Sequence, residues 1–398
     1  MEGLSSEVRT EDSTMESELK EFGSSNHHQV LEPADESRGE DSGKDERPLL
    51  KSDSNLTSSP LSTENLQELD KKFAAFVRRD VYGIMGRGEL PLLEKFLLGL
   101  ALVTLVPIRV VCGMTILIFY YFICRLCTLF SVLNRDEGEE NFAHLSGWRR
   151  LVIVQAGKFL ARAMLFTLGF YWISESSLNA GENDCNEESE EPKRPGAIIS
   201  NHISYLDILY HMSSSFPSFV AKRSVAKLPF VGLISKCLGC VYVQRESKSS
   251  DFKGVSGVVT ERVKEAHQNK FAPMMLLFPE GTTTNGDFLL PFKTGAFLSK
   301  SPVLPVILRY PYKRFSPSWD TISGVRHVIL LLCQFVNHIE VTRLPVYYPS
   351  EQEMEDPKFY ANNVRKLMAS EGNLTLSDIG LAEKRIYHAA INGLFCQS

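Results

Sequence analysis

One stretch of this sequence constrains the fold more than any other. Between Phe96 and Cys124, twenty-nine residues in succession carry a single charge, that of Arg109. Soluble helices seldom stay apolar on every face for this length, so a buried helix of a soluble domain is the weaker alternative. The stretch predicts a membrane anchor.

Two arrangements of this anchor fit the sequence, because Pro107 and Arg109 interrupt it. The second half, Val110 to Cys124, would reach about 22 Å as a helix, which is short of a hydrocarbon core of about 30 Å. In the first arrangement, one helix from about Leu102 to Leu126 spans the bilayer and Arg109 snorkels to an interface. In the second, two short helices hinge at Pro107 and enter one leaflet only.

A second apolar segment runs from Leu151 to Ile173, with tryptophans at both ends. Its polar residues Gln155, Lys158 and Arg162 are spaced to share one face of a helix. This pattern predicts an amphipathic helix in the headgroup region. We therefore expect residues 90–173 to form membrane-anchoring helical segments.

Acidic residues are concentrated in two parts of the chain. Residues 1–72 contain 18 acidic and 8 basic side chains, a net charge of −10, whereas the whole chain carries −5. Their composition predicts a disordered acidic arm without a cleavable signal or transit peptide. Within it, Glu46 to Leu50 has the acidic-dileucine pattern of a sorting signal, although a plain linker fits as well. A second acidic run predicts a linker over residues 174–195, and the basic remainder can face anionic partners.

The eight cysteines include two C-x-x-C pairs, Cys124 with Cys127 and Cys237 with Cys240. Four such thiolates could hold zinc. One pair lies in the apolar stretch, however, and no histidine flanks either pair. We therefore expect reduced, buried thiols and no metal site.

After Gly196 the pattern changes to short apolar runs separated by intervals long enough for helices. This alternation predicts an α/β layered domain. A further helix is predicted after Asp356, with Pro357 at its first position, running to about Ser370. The apolar runs expected to be strands cover residues 197–200, 218–221, 240–243, 274–278 and 303–308.

A histidine follows the first of these strands in the sequence Asn201-His202-Ile203-Ser204-Tyr205-Leu206-Asp207. Ser204 and Asp207 form a helix-start pattern, with Ser204 as the cap and Asp207 in the first turn. Asp207 can then hold one ring nitrogen of His202 while the other acts as a general base on a substrate hydroxyl. Alternatively, Asp207 only caps the helix and His202 is a loop histidine. Signatures of serine hydrolases, zinc proteases and nucleotide-driven enzymes are missing.

Four blocks in order resemble the glycerolipid acyltransferase family, typified by bacterial 1-acylglycerol-3-phosphate acyltransferases. The likeness covers roughly residues 197–310. The blocks are the N-H-x-S-x-x-D sequence above, Ala221 to Arg245, Phe278-Pro279-Glu280-Gly281-Thr282 and Leu304-Pro305-Val306. The resemblance implies an acyltransferase catalytic core at residues 196–310, extended by residues 311–398 of the same α/β domain.

The resemblance also implies roles for individual residues. His202 and Asp207 would be catalytic, and Arg245 would bind a phosphate. Glu280 would bind a glycerol hydroxyl or brace the region of Arg245. Gly281, Thr282 and Lys222 would complete the substrate site, with Lys222 attracting the phosphates of coenzyme A or remaining a solvated charge. Acyl-CoA would be a co-substrate, and no cofactor is expected.

One departure from the family pattern narrows the choice of the lipid that accepts the acyl group. Many members that acylate lysophosphatidic acid continue the F-P-E-G-T block with Arg-Ser, whereas this chain reads Thr283-Thr284-Asn285. That ending is similar to the branch that re-acylates lysophosphatidylcholine and lysophosphatidylethanolamine, and the N-terminal part resembles its plant members.

The resemblance therefore implies transfer of a fatty acyl group from acyl-CoA to a lysophospholipid. Lysophosphatidylethanolamine is the favoured acceptor, and a lysophosphatidylcholine or glycerol-3-phosphate acyltransferase is the alternative. A non-catalytic membrane scaffold is the alternative of another class. The expected partners are the lipid bilayer, acyl-CoA and lysophospholipid, without nucleic acid. The expected location is the endoplasmic reticulum membrane, with the catalytic domain facing the cytosol.

Overall fold

A computed structural model of the chain describes residues 63–130, 134–136, 139–142, 145–178, 194–243 and 249–396. Three expectations lie outside these residues. They concern the acidic arm up to residue 62, most of the acidic run between residues 179 and 193, and Arg245.

A seven-stranded mixed sheet forms the centre of the described residues. Its strand order is β3-β10-β9-β4-β7-β5-β6, and all neighbours are parallel except β10 and β9. Its strands are β3 (Ile173–Ser177), β4 (Ala197–Ser200), β5 (Ser218–Lys222), β6 (Val241–Val243), β7 (Met275–Leu277), β9 (Val303–Arg309) and β10 (Ile339–Arg343). Two small pairs lie outside this sheet, β1 (Asn134–Asp136) with β2 (Glu139–Asn141) and β8 (Phe288–Leu289) with β11 (Thr375–Leu376). All five strands expected from the sequence are confirmed.

Helices cover both faces of the sheet, which confirms the layered α/β architecture. In β4, Ile198 packs into one apolar cluster and Ile199 into another, because successive side chains of a strand point to opposite faces. The helices are α1 (Thr63–Lys72), α2 (Leu92–Thr128), α3 (Trp148–Thr167), α4 (Leu206–Ser214), α5 (Val231–Leu238), α6 (Ser249–Gln268), α7 (Gly324–Leu332), α8 (Glu351–Glu355), α9 (Pro357–Glu371) and α10 (Leu381–Cys396). The start of α9 is as expected, since Asp356 accepts a hydrogen bond from the main-chain N–H of Lys358.

The apolar stretch forms α2, one continuous helix of 37 residues that passes through Pro107. Among the described residues it is the helix long and apolar enough to cross a membrane. The alternative of two short helices is therefore wrong. Snorkelling of Arg109 is also wrong, because this side chain is buried and donates to the main-chain oxygens of Leu332, Gln334 and Phe335. A guanidinium with carbonyl acceptors inside the protein has no need to reach the membrane surface.

The amphipathic segment forms α3, whose buried face includes Ile153 and Leu165 and whose exposed face includes Phe159 and Phe166. Arg162 differs from the expectation of a headgroup contact. It donates to the main-chain oxygens of Phe170 and Tyr171, just beyond the end of the helix.

Two expected segment boundaries need correction. The last ten residues of the presumed arm form α1, and Leu69 there packs on a small core with Phe73, Phe76 and Tyr387. The presumed linker begins inside β3, which hydrogen bonds along β10. Each segment looks polar by itself but is ordered by a distant part of the chain. For α1 this is the apolar core that includes Tyr387, and for β3 it is the edge of the sheet at β10.

Candidate active site

His202 lies in the turn between β4 and α4, where the sequence placed it. Its Nδ1 is 2.9 Å from Oδ2 of Asp207, which occupies the first turn of α4. The imidazole stacks on the ring of Phe278, with 4.1 Å between the ring centroids. The side chain of His202 is 20% exposed, and no described residue bonds its Nε2. The geometry thus matches an imidazole that a carboxylate orients through Nδ1.

The expected cap by Ser204 is wrong. The cap position of α4 is Tyr205, and the buried Oγ of Ser204 lacks a hydrogen-bond partner among the described residues. Instead Asp207 turns back and accepts from the main-chain N–H groups of Ile203 and Ser204, at 2.8 and 3.0 Å. A carboxylate forms stronger bonds to N–H donors than a hydroxyl does, which explains the outcome.

Asp207 is fully buried and is held by a fourth donor that the sequence did not reveal. The hydroxyl of Tyr310, one residue after β9, donates to Oδ1 of Asp207 over 2.7 Å. Burial, together with the neighbouring Asp207 carboxylate, raises the pKa of Tyr310 well above its usual value. Tyr310 therefore stays a proton donor, and it fixes the carboxylate from the side opposite to His202.

Glu280 is buried in the loop after β7, and its contacts are with main chain. Its Oε1 accepts from the N–H of His202 at 2.8 Å, and its Oε2 accepts from the N–H of Leu290 at 2.9 Å. Burial raises the pKa of Glu280 to about 8, and the two N–H bonds oppose this rise. The structure thus shows Glu280 supporting the histidine turn rather than facing open space.

The remaining residues of the F-P-E-G-T block follow the same loop. Gly281 has φ of +71°, a backbone conformation that favours glycine, whereas the atom nearest to a Cβ there would be Nζ of Lys293, the end of a flexible side chain. Thr282 is half-buried. The main-chain N–H of Thr284 donates to the carbonyl oxygen of His202 at 3.0 Å.

Lys222 is exposed at the carboxyl end of β5. Since β4, β5, β6 and β7 are parallel, their carboxyl ends form one edge of the sheet. His202 and Glu280 follow β4 and β7 at that edge. Arg245 lies outside the described residues, two positions beyond the end of β6.

A network outside the expected site anchors this edge to the start of the domain. Asn285 donates from its main chain to Ala75 and from its amide to Ala74 and Val77, all to carbonyl oxygens. Nζ of Lys384, in α10, donates to the main-chain oxygen of Thr283 at 2.8 Å. Burial lowers the pKa of this lysine to about 8. Asn285 lies three residues after the recognised block, but nothing in the sequence pairs it with residues 74–77.

Arg78 extends the network. Its guanidinium is fully buried between Asp80 at 2.6 Å and Asp320 at 3.1 Å, and it donates to two further carbonyl oxygens of the loop at residues 316–318. In the same loop, the N–H of Trp319 donates to the carbonyl oxygen of Ile203. Residues 73–80 thus support the histidine turn through two segments, the loop with Thr284 and Asn285 and the loop at residues 316–319.

A cleft of about 450 Å³ lies beside the turn, lined in part by Ile203, Tyr310 and Arg309. His202 does not line it, so the cleft adjoins the histidine site without containing it. Within the described part of the chain, no group of three or more possible ligands could hold a metal ion. Cys124, Cys127, Cys237 and Cys240 are buried free thiols.

Comparisons with known proteins show which family this chain is similar to. A sequence profile of the family described as Acyltransferase matches residues 183–309. The lysophospholipid acyltransferase LPEAT1 of Arabidopsis thaliana is 59% identical over 96% of this chain and 98% of its own length. Lysophosphatidylcholine acyltransferase 1 of Danio rerio is 32% identical over 72% of this chain, which spans only 52% of that relative.

Among solved structures, the 1-acyl-sn-glycerophosphate acyltransferase PlsC of Thermotoga maritima matches 70% of this chain and 97% of its own, with 17% identity and a TM-score of 0.40. The profile match and the α/β fold define an acyltransferase, and the long apolar helix α2 indicates association with a membrane. The chain belongs to the lysophospholipid acyltransferase family.

Proposed function

We propose that this enzyme transfers a fatty acyl group from acyl-CoA to the free hydroxyl of a lysophospholipid, with His202 as the general base. The observation that carries the proposal is the contact between Nδ1 of His202 and Asp207. A thioester is already activated, so the demanding step is deprotonation of a poor hydroxyl nucleophile. No serine or cysteine nucleophile is needed.

The proposed reaction has the following steps. Nε2 of His202 takes the proton of the lysophospholipid hydroxyl as its oxygen attacks the thioester carbonyl carbon. The carbon–sulfur bond then breaks, and the proton passes from His202 to the departing thiolate. Asp207 holds the imidazole in the tautomer with the proton on Nδ1 and stabilises the imidazolium that forms. The products are a diacyl phospholipid and coenzyme A.

For the acceptor we propose lysophosphatidylethanolamine, with lysophosphatidylcholine as the second candidate. The Thr283-Thr284-Asn285 ending supports this branch over acylation of lysophosphatidic acid. The second candidate is supported by the relative from Danio rerio, whose name specifies lysophosphatidylcholine.

We further propose that Arg245 binds a substrate phosphate and that Lys222, Gly281 and Thr282 also take part in substrate binding. Lysine at position 245 should then restore binding only in part, since it keeps the charge without the forked geometry. Replacement by alanine should raise a Michaelis constant about ten- to a hundredfold, the value of a charge-assisted contact. A fall in turnover with unchanged Michaelis constants would contradict the phosphate role.

For the membrane arrangement we propose that α2 enters one leaflet of the endoplasmic reticulum from the cytosolic side. Glu94 near its start pairs with Arg314, and Tyr121 near its end packs edge-to-face on Phe230. These contacts lie about 40 Å apart along the helix, more than a hydrocarbon core of about 30 Å. A helix attached to one α/β domain over that length supports an in-plane position. The cytosolic side supplies acyl-CoA, and protease protection in sealed microsomes would test the orientation.

The test of the main proposal is a panel of lysophospholipids presented with one radiolabelled acyl-CoA to the purified protein in detergent. We expect lysophosphatidylethanolamine to give the highest kcat/KM, and His202→Ala to abolish transfer while membrane association is retained. His338→Ala is the matched control, because His338 is an exposed histidine outside the site. Activity above a tenth of wild type in His202→Ala would overturn the role of His202 as the base. Absence of transfer to every acceptor by the wild-type protein would support the non-catalytic scaffold.

A further inference from the structure

The exposed apolar surface of the described residues is larger than the sequence indicated. On α7, Val325, Val328 and Ile329 are exposed, and their spacing of three and four places them on one helix face. Phe335 and Val336, just beyond the helix, are exposed as well. We call these five side chains the α7 face.

Arg109 joins the α7 face to the apolar helix α2. Its Nη1 lies 2.9 Å from the carbonyl oxygen of Leu332, the last residue of α7, and its Nη2 lies 3.3 Å from that of Phe335. Arg109 lies near the middle of α2, and its neighbours on either side, Ile108 and Val110, are exposed. The end of α7 therefore lies beside the centre of the membrane-associated helix, so the two exposed apolar surfaces are continuous.

The charges around the α7 face fit a lipid surface. Along the chain, Arg326 and His338 flank the α7 face, whereas the nearest acidic residues are Asp320, which is buried against Arg78, and Glu340, which is exposed on β10. Basic side chains beside an apolar surface favour anionic headgroups. The charge of Arg109 is surrounded by carbonyl oxygens, so it does not oppose insertion of its neighbours into hydrocarbon.

We propose that the α7 face is a third membrane-contacting element, which inserts among the acyl chains of the same leaflet as α2 and α3. Continuity with α2 identifies the occupant, because a surface joined to a membrane helix at mid-length meets the same lipid. The proposal rests on membrane association and not on the proposed reaction.

This contact brings the bilayer close to the histidine turn. On the opposite side of α7, Nδ1 of His327 is hydrogen bonded to the hydroxyl of Tyr205 at 3.1 Å. Tyr205 follows His202 by three residues and is one residue before α4. One helix, about 10 Å wide, thus separates lipid from the turn that carries the histidine.

Depth-dependent quenching in nanodiscs tests the proposal without reference to activity. An environment-sensitive nitrobenzoxadiazole label is placed at Val328→Cys, in a chain whose Cys112, Cys185 and Cys396 are replaced by serine. The bilayer contains phosphatidylcholine, phosphatidylserine and doxyl-labelled phosphatidylcholine. Val111→Cys on α2 is the positive control, and Lys366→Cys, exposed on α9 at the other face of the sheet, is the negative control.

We expect doxyl lipid to quench the label at position 328 by more than half, as at position 111, and by less than a tenth at position 366. Quenching at position 328 as weak as at position 366, with strong quenching at position 111, would overturn the proposal. So would a blue-shifted but unquenched label at position 328, since that result means a protein partner covers the face.

A second measurement needs no substitution. Photolysis of a diazirine-labelled phospholipid in nanodiscs with the unmodified protein should modify peptides that contain residues 325–336. Modification confined to peptides of α2 and α3 would contradict a third element.

Discussion

The main-chain N–H of His202 donates to Oε1 of Glu280 over 2.8 Å, although 78 positions separate the two residues. The carbonyl oxygen of the same residue accepts from the N–H of Thr284. Both peptide groups of the proposed base are therefore held by the loop after β7. Such support fixes a reacting group before substrate arrives, which removes the cost of ordering it during the reaction.

Glu280 is accordingly expected to position His202 rather than to bind substrate. In Glu280→Gln, one amide oxygen can serve one N–H, while the amide nitrogen meets the other donor. We predict that kcat falls about 10- to 100-fold and that both Michaelis constants stay within about twofold of wild type. Steady-state kinetics with varied acceptor and donor distinguish the two roles. A raised Michaelis constant for the acceptor at unchanged kcat would return Glu280 to the glycerol hydroxyl.

Substitutions of Asp207 and Tyr310 should lower the rate by different amounts, although Tyr310 is hydrogen bonded to the carboxylate of Asp207. Asp207→Asn removes the charge that stabilises the imidazolium, and we expect kcat to fall about 10²- to 10⁴-fold. Tyr310→Phe removes one neutral donor, and we expect a fall of about tenfold or less. Single-turnover rates at saturating substrates measure both. A rate for Asp207→Asn within threefold of wild type would leave Asp207 as a structural residue of the turn.

The parts of the fold that the sequence predicted correctly depend on local patterns. The five strands and the cap at Asp356 are of this kind, as is the contact between His202 and Asp207, which lie five residues apart. The corrections arise from distant partners. Arg109 meets carbonyl oxygens 223 to 226 positions away, and Tyr310 reaches Asp207 across 103 positions. No spacing rule within one segment encodes such contacts.

The segment around Arg78 shows the same limitation and gives a stability prediction. Arg78→Met leaves the buried carboxylates of Asp80 and Asp320 without their cation, and we expect unfolding to become easier by about 3–5 kcal/mol. The neighbouring Arg79 is the matched control, because it is half-exposed and forms a longer ion pair, 3.6 Å, with the exposed Asp287. Arg79→Met should cost less than about 1 kcal/mol.

Denaturant unfolding in detergent compares the two arginine variants. Equal stability of the Arg78→Met and Arg79→Met variants would show that the buried network contributes little.

Deletion of residues 1–62 should leave activity intact, while deletion of residues 1–80 should prevent folding.

Stability should also depend on pH through His211. Burial lowers the pKa of this histidine to about 3, whereas an unfolded histidine titrates near 6.5. Between these values the unfolded chain binds the proton and the folded chain does not, so stability falls as the pH drops below 6.5. The slope attributable to His211 is at most about 1.4 kcal/mol per pH unit.

His211→Phe keeps the ring contacts and removes the titration, so it should flatten the change in melting temperature between pH 7 and pH 5. An unaltered slope in His211→Phe would mean that other groups dominate acid unfolding.

The position of β3 has a consequence for kinetics. This edge strand begins six residues after α3 ends, and the connection is fastened by bonds from Asn337 to Gly169 and Leu168. β4, which leads to His202, lies three strands away, at about 14 Å. With α3 in the membrane as proposed, the histidine is held at a constant height above the lipid instead of moving on a tether. An enzyme built in this way should obey surface dilution: its rate should follow the mole fraction of lysophospholipid in the membrane, and extra inert phospholipid should slow it at constant total substrate.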